Sequence, residues 1–525
     1  MSPDNRNPGG CNRERLGRIK LLAVAAAAMC WGAAQGQASD QALAQGQVQT
    51  LGKGLTLTPT FNLTETWTSN RDLSSVDRRP DYVTQISPGL SMRAGRGPLQ
   101  GTLSYALNGL IYADQTSLNT VYHTLASQAR LSLLDGRAGV EGTATANRQI
   151  VSAFGTQSNE QALNNANQTQ VFSYSLAPYL TGRLLGNVDY GLRLNYAASH
   201  TNETYTGDTS SFSGQANLTG RLGLFDWAFD LSRVIYGSQN RSNSHIGSVG
   251  GTLLYTPDVD LQFRARLGSE SNDIRTGQSE RTTTWGAGVT WRPGPRTNLV
   301  ADYDRRFFGN AYALGFSHRM SNTIVNFSDS RSLQSAGSTG RTVLSLYDLL
   351  FAQTASIEAD PVKRDIYVRN LIAANGLDPN GQVIVGGFLS NGPTITRSQV
   401  ASLAYQGLRM TVSVAFVQTQ TRSASVDPLT GDDLANGVRL RQKGATLMVS
   451  HRLTPESSVM LSFGEQRTAA DINQAANDLR TITATWTARL GQRTTVSLGA
   501  RRARNTSETT PYQESAVFGT LNLRF

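Results

Sequence analysis

The stretch from Glu514 to Phe525 reads E-S-A-V-F-G-T-L-N-L-R-F, with Val517, Gly519, Leu521, Leu523 and Phe525 on one side of a two-residue repeat and Ala516, Phe518, Thr520, Asn522 and Arg524 on the other. A period of two is a strand, because successive side chains leave opposite faces of an extended backbone. A terminal strand with alternate apolar residues and an aromatic last residue has the form of an assembly signal for membrane barrels. Leu521, Leu523 and Phe525 are therefore the expected signal residues, and barrel-assembly machinery is an expected partner.

The same grammar recurs from Gly54 onward. Val188, Tyr190, Leu192, Leu194, Tyr196 and Ala198 alternate cleanly, as do Thr283, Trp285, Ala287, Val289 and Trp291, and later Ile482, Ala484, Trp486, Ala488 and Leu490. These segments run roughly 10 to 14 residues, the length of a tilted transmembrane strand. Tight turns such as Gly95 to Pro98, Leu185-Gly186-Asn187 and Thr454-Pro455-Glu456 alternate with polar loops such as Ser152 to Thr169 and Thr421 to Gly437. Short turns at one end and long loops at the other are the asymmetry of outer-membrane barrels. The expectation is an all-β chain forming a large antiparallel transmembrane β-barrel of about 22 strands. The last strand should pair with the first, Gly54 to Trp67, since a barrel leaves no edge unpaired.

Composition agrees. Only 39% of residues are hydrophobic and the mean hydropathy is −0.31, which excludes a helical membrane protein. Arg13, Arg15, Arg18 and Lys20 precede the apolar run Leu21 to Ala34 and the small residues around Ala38. That is the layout of a secretory signal peptide, residues 1–38. Its removal takes away five basic and two acidic residues, lowering the net charge from +10 to +7, and also Cys11 and Cys30, the two cysteines of the chain. The remainder, 39–525, has no disulfide framework. The expected location is the bacterial outer membrane, with outer-membrane lipid as a partner and no nucleic acid.

One region breaks the period of two. Val343, Leu346, Leu349 and Leu350, then Val362, Ile366, Leu371 and Ile372, are spaced as in helices. Asp360-Pro361 is a helix start and Asn375-Gly376 a stop. A small helical insertion is thus expected over 332–393, on the long-loop side, as a gate, plug or surface cap. Its placement over the surface or inside the lumen is open at this level.

The five histidines, His123, His200, His245, His318 and His451, lie in no nucleophile elbow or metal-binding spacing. His200 with Glu203 is the one suggestive polar pair. The chain has no Gly-rich phosphate loop and offers no Cys ligands after residue 38. The expectation is a protein without catalytic residues, cofactor or metal. Arginine is the remaining signal, because only Lys20, Lys53, Lys363 and Lys443 are lysines among 48 basic residues. Arg193, Arg264, Arg266, Arg439 and Arg441 fall at positions expected to face the lumen. Arg rings inside a pore attract anions, although inward positions must be polar in any case.

The wording becomes specific from Trp291 to His318: W-R-P-G-P-R-T-N-L, then D-R-R-F-F-G-N-A-Y-A-L, then S-H-R. With L-T-P-T-F-N-L-T-E-T-W-T-S-N (57–70), I-S-P-G-L-S (86–91), Tyr347-Asp348-Leu349-Leu350 and Asp360-Pro361, the chain resembles the PEP-CTERM-system-associated outer-membrane barrel family. The resemblance covers essentially the whole chain after residue 38. It departs at Thr68-Ser69-Asn70, where an Asp before the Asn is expected. It implies an association with exopolysaccharide loci, with polysaccharide and other proteins of that system as partners. The expected function is a conduit or docking component in exopolysaccharide export or assembly. Alternatives are a general diffusion porin and a non-conducting structural or adhesion barrel acting through its surface loops.

Overall fold

The computed structural model describes residues 49–525 apart from 51–53, 96, 159–162, 164, 185, 203–206, 240, 276, 335–343, 346, 348–349, 352–353, 355–363, 366–367, 369–381, 385–387, 391, 426–432, 472–475 and 508–509. The expected signal peptide, 1–38, and the insertion's Asp360-Pro361 and Asn375-Gly376 signals lie outside the described residues.

Twenty-two strands of 10 to 18 residues follow one another around a single antiparallel sheet, each hydrogen-bonded to its neighbours in sequence order. The first, Leu55–Thr68, pairs with the last, Tyr512–Arg524, so the sheet is a closed barrel. A two-residue strand, Gln49–Thr50, adds to the start of the first. In the seam Thr60 faces Arg524, Leu63 faces Leu521 and Trp67 faces Val517, while the Phe525 amide donates to the Pro59 carbonyl at 3.0 Å. Leu521 and Leu523 thus belong to the face of Leu63 and Phe61. This is the pairing the alternation requires.

Side-chain locks back the seam near its long-loop end. Asn70, fully buried, donates through Nδ2 to the Ser74 and Gln513 carbonyls at 2.7 and 2.9 Å. The Ser69 amide donates to the Ser515 carbonyl and the Ser515 amide to Ser69 Oγ, both at 2.9 Å. Inside the barrel, Arg501 pairs with Glu514 at 2.8 Å, and Thr68 Oγ1 donates to the same carboxylate at 3.0 Å. Both members of this pair are buried, and removing one partner of such a pair typically costs about 3–5 kcal/mol. Thr68 and Asn70 are therefore seam residues.

Connections on one side have two to four residues; those on the other reach 59 residues, at 335–393. Pro295-Arg296 is such a tight turn. On the long-loop side Phe307-Phe308 is equally short, and Gly309 there sits at φ +101°, a conformation that favours glycine. The outward faces carry exposed Leu192, Leu231, Trp285, Phe416, Leu461 and Val517. A continuous apolar outer band on a closed sheet is stable only in lipid, since no open edge and no unpaired backbone is left to hydrocarbon. The architecture is that of an outer-membrane barrel.

Cutting the chain after Thr520 removes the pairing of Leu63 to Thr60 with the last strand and reopens the seam. The expected outcome is loss of barrel assembly, read as loss of heat-modifiable electrophoretic mobility in outer-membrane fractions. Normal assembly of the truncated chain would contradict the seam.

Candidate functional site

A 22-stranded barrel is about 40–45 Å across, too wide for wall side chains to fill. Described residues of the long insertion enter this space. Of its described residues, Tyr347, Leu350, Phe351, Arg364, Asp365 and Val368 have helical backbone. Leu350 and Val368 are buried in one cluster with Ala415, Val417 and Met448, with Tyr347, Phe351, Val400 and Met460 packed at its margin. Phe416 points outward and is 57% exposed, so its neighbours Ala415 and Val417 point inward. Met448 pairs with Ser413 and Val400 with Val417, which places both on the inward face. The described part of the insertion is therefore seated on the inner wall. This resolves the choice between lumen and surface that the sequence leaves open.

A second anchor lies deep in the barrel. Asp365, 3% exposed, accepts from Tyr347 Oη at 2.5 Å and pairs with Arg93 at 3.1 Å. Arg93 is the penultimate residue of the second strand, Asp81–Ala94, beside the tight turn at Gly95. The insertion leaves the wall at Gln334, at the long-loop end. Its chain thus reaches from the outer mouth to the inner end of the lumen. A short ribbon, Leu344–Ser345 with Gln382–Ile384, completes the described part.

At the outer mouth neighbouring loops pack against the wall and one another. Leu163, from the loop after the fifth strand, Ala138–Ile150, is buried among Val83, Leu110, Tyr112, Leu479 and Tyr512. In the same loop the Ala153 amide and Ser152 Oγ donate to the Asp433 carboxylate at 2.6 and 2.8 Å. Ala153 shares a buried cluster with Phe388 and Leu434, and the Leu389 amide donates to the Val151 carbonyl. Three separate loops are tied together there.

Away from the insertion the inner wall carries charges in pairs. Arg264 and Arg266 lie on the eleventh strand, Leu261–Asn272, where exposed Phe263 and Leu267 mark the outward positions. Arg264 pairs with Asp302 at 2.6 Å and Arg266 with Asp304 at 2.9 Å. These acids belong to the thirteenth strand, Thr297–Arg306, so each bridge crosses the whole twelfth strand, Glu280–Gly294. It does so over Gly288 and Gly286, which stand between the partners in register. A Cβ at either glycine would sit 2.1 Å from an acid oxygen. One step further, Glu270 and Arg306 pair with the polarity reversed. Arg193 donates to Glu141 at 2.5 Å, and Arg130 binds the same carboxylate.

Arg193, Arg264 and Arg266 are thus inward as expected, but each is matched by a carboxylate and forms no ring of unpaired cations. Arg439 and Arg441 are a correction. They share the parity of Leu447 and Val449 on the strand Arg439–Thr454, and are exposed on the outer face, while Leu440 and Gln442 beside them are buried inward. The strand has 16 residues, more than a bilayer crossing needs, so its charged end projects past the apolar band. His200 Nδ1 meets Asp208 at 2.8 Å; Glu203, its expected companion, lies outside the described residues. Among the described residues no group of three or more His, Cys, Asp or Glu could hold a metal ion.

No protein-family model matches the chain, and no curated protein sequence matches it. Among solved structures it is similar to the FrpB iron transporter from Neisseria meningitidis (F5-1 variant), at 12% identity and a TM-score of 0.44 over 89% of this chain and 82% of that one. It is also similar to the siderophore receptor PirA from Acinetobacter baumannii, at 9% identity and a TM-score of 0.46 over 89% and 80%. For OccK5 (OpdH) of Pseudomonas aeruginosa the values are 9% and 0.33 over 90% and 98%.

The glycine-spanning bridges give a direct test. Gly288→Val places carbon where the Asp302 carboxylate lies and should lower stability by about 1–3 kcal/mol, read as a lower urea midpoint in detergent micelles. Gly315→Val, at an inward position with open space around it, should leave the midpoint unchanged. An unchanged midpoint for Gly288→Val would contradict the bridges.

Proposed function

We propose that this barrel is a gated conduit or docking component of the outer membrane, serving exopolysaccharide export or assembly, with the insertion 332–393 as its gate. The observation that carries the reading is the seating of Leu350, Val368 and Asp365 on the inner wall. A general diffusion porin has no need of a segment anchored at both ends of its lumen. A surface adhesion barrel would place its long insertion outside.

The wall chemistry suits a neutral, hydroxyl-rich polymer. Around the insertion the inward positions are Thr396, Ser402, Thr419, Gln442, Thr446 and Thr468, groups that both donate and accept. Many of the charges elsewhere on the wall are paired, which weakens the field that an uncharged chain meets. Movement along such a wall exchanges one hydroxyl contact for another and requires no catalytic residue. Polysaccharide and other exopolysaccharide-system proteins are the partners this reading names.

Removing residues 335–390 should raise single-channel conductance in planar bilayers, and no rise would count against the gate. Disrupting the gene should abolish polymer secretion while small-solute uptake persists. Intact secretion would refute the pathway and leave the gate untouched.

A further inference from the structure

The outer face holds charges that neither the conduit nor the seam uses. On the strands Met410–Ser423, Arg439–Thr454, Ser457–Ala470, Asn477–Arg489 and Thr494–Ser507, the outward positions toward the long-loop end are Arg422, Arg439, Arg441, Lys443, Arg467, Arg480, Arg502 and Arg504. Against these eight cations stand two acids with the same orientation, Glu465 and Asp478, and both are taken by Arg480, at 2.9 and 3.4 Å. Arg441, Lys443, Arg467, Arg502 and Arg504 are exposed, and their side chains make no hydrogen bond or ion pair among the described residues.

Their arrangement carries a cost. In register, Arg422 faces Arg439, Lys443 faces Arg467 and Arg480 faces Arg504. Like charges directly opposite each other on one sheet face repel. Arg480 is partly neutralised by its two carboxylates, while the Arg422–Arg439 and Lys443–Arg467 contacts, in a patch about 20 Å wide, are relieved where anions lie between them. Further along the same strands, past Gln420, Gln418 and Glu465, the outward positions are apolar: Phe416, Leu447, Phe463, Ile482, Leu461 and Leu498. The cations therefore form a collar at the level where acyl chains give way to headgroups, on the side of the long loops. At that level other strands also carry outward cations, Arg233, Arg281, Arg305, Arg331 and Arg397, of which Arg397 is matched by Asp329, and the exposed aromatics Trp67, Tyr82, Phe172, Tyr174, Tyr196 and Phe212. The collar is densest on the arc from Met410–Ser423 to Thr494–Ser507.

We propose that this arc is a binding site for a phosphorylated glycolipid of the outer leaflet. Its acyl chains lie on the apolar rows and its sugar phosphates bridge Lys443, Arg467, Arg502 and Arg504. Guanidinium groups suit phosphate because they offer paired donors in a fixed plane. A zwitterionic headgroup would leave the like-charge contacts uncompensated. The occupant sits outside the barrel, so the site is independent of what passes through the lumen.

The test uses the full barrel in detergent micelles, with diphosphoryl lipid A and phosphatidylcholine as probes and native mass spectrometry as the readout. The wild-type protein should retain diphosphoryl lipid A at least about tenfold better than phosphatidylcholine, and 0.5 M salt should erode that preference. The variant Lys443→Gln/Arg467→Gln/Arg502→Gln/Arg504→Gln should lose the preference about tenfold while keeping heat-modifiable mobility. If that variant fails to assemble, Lys443→Gln/Arg467→Gln is read in the same way. Equal retention of the two lipids by the wild-type protein, or an undiminished preference in a folded variant, would overturn the site.

Discussion

The ladder between Leu55–Thr68 and Tyr512–Arg524 is the interaction on which the rest of the structure depends. Hydrocarbon offers no water to an unpaired amide or carbonyl, so a sheet survives in it only without edges. Once the ends meet, every strand has an inside and an outside, and the period of two assigns each residue to one of them. The buried Asn70, Glu514 and Arg501 sit at this joint because it joins segments more than 440 residues apart in the chain.

Closure with 22 strands creates the second constraint, an interior too wide to fill from the wall. The chain meets it in two ways. One part of the wall carries charges neutralised across intervening glycines, leaving a polar surface that water can line. Another part carries Ala415, Val417 and Met448, small or apolar residues facing inward, and there the insertion docks with Leu350 and Val368. The Arg93–Asp365 pair then fixes its far end. Two dissimilar contacts hold one segment, and Asp365 shares its carboxylate with Tyr347. Any change that neutralises Asp365 weakens both at once.

Much of this was legible in the sequence, because strand period and turn chemistry are local. The strand number, the seam and the inward direction of Arg193, Arg264 and Arg266 follow from alternation alone. The pairing of those arginines did not, since Asp302 and Asp304 lie 38 residues away and two strands over; Gly286 and Gly288 were the local trace. Arg439 and Arg441 face outward, against the expectation that they line the lumen. Counting parity from Leu447 and Val449 turns them outward, and the length of the strand gives the charged end room beyond the apolar band. The insertion's location depended on partners far along the chain. Its trace is the run from Val412 to Val417, where Ala415 and Val417 are apolar between outward Val414 and Phe416, as expected of a strand covered on both faces.

The central claim is that the insertion occupies the lumen and reaches its inner end. With Arg93→Cys and Asp365→Cys introduced together, a short bismaleimide applied to outer membranes should join the two thiols within one folded chain. The product would be a faster-migrating species absent from either single variant; the native cysteines, Cys11 and Cys30, both precede the barrel. Labelling of each single cysteine without a cross-link in the double variant would contradict the seating of the insertion inside the barrel.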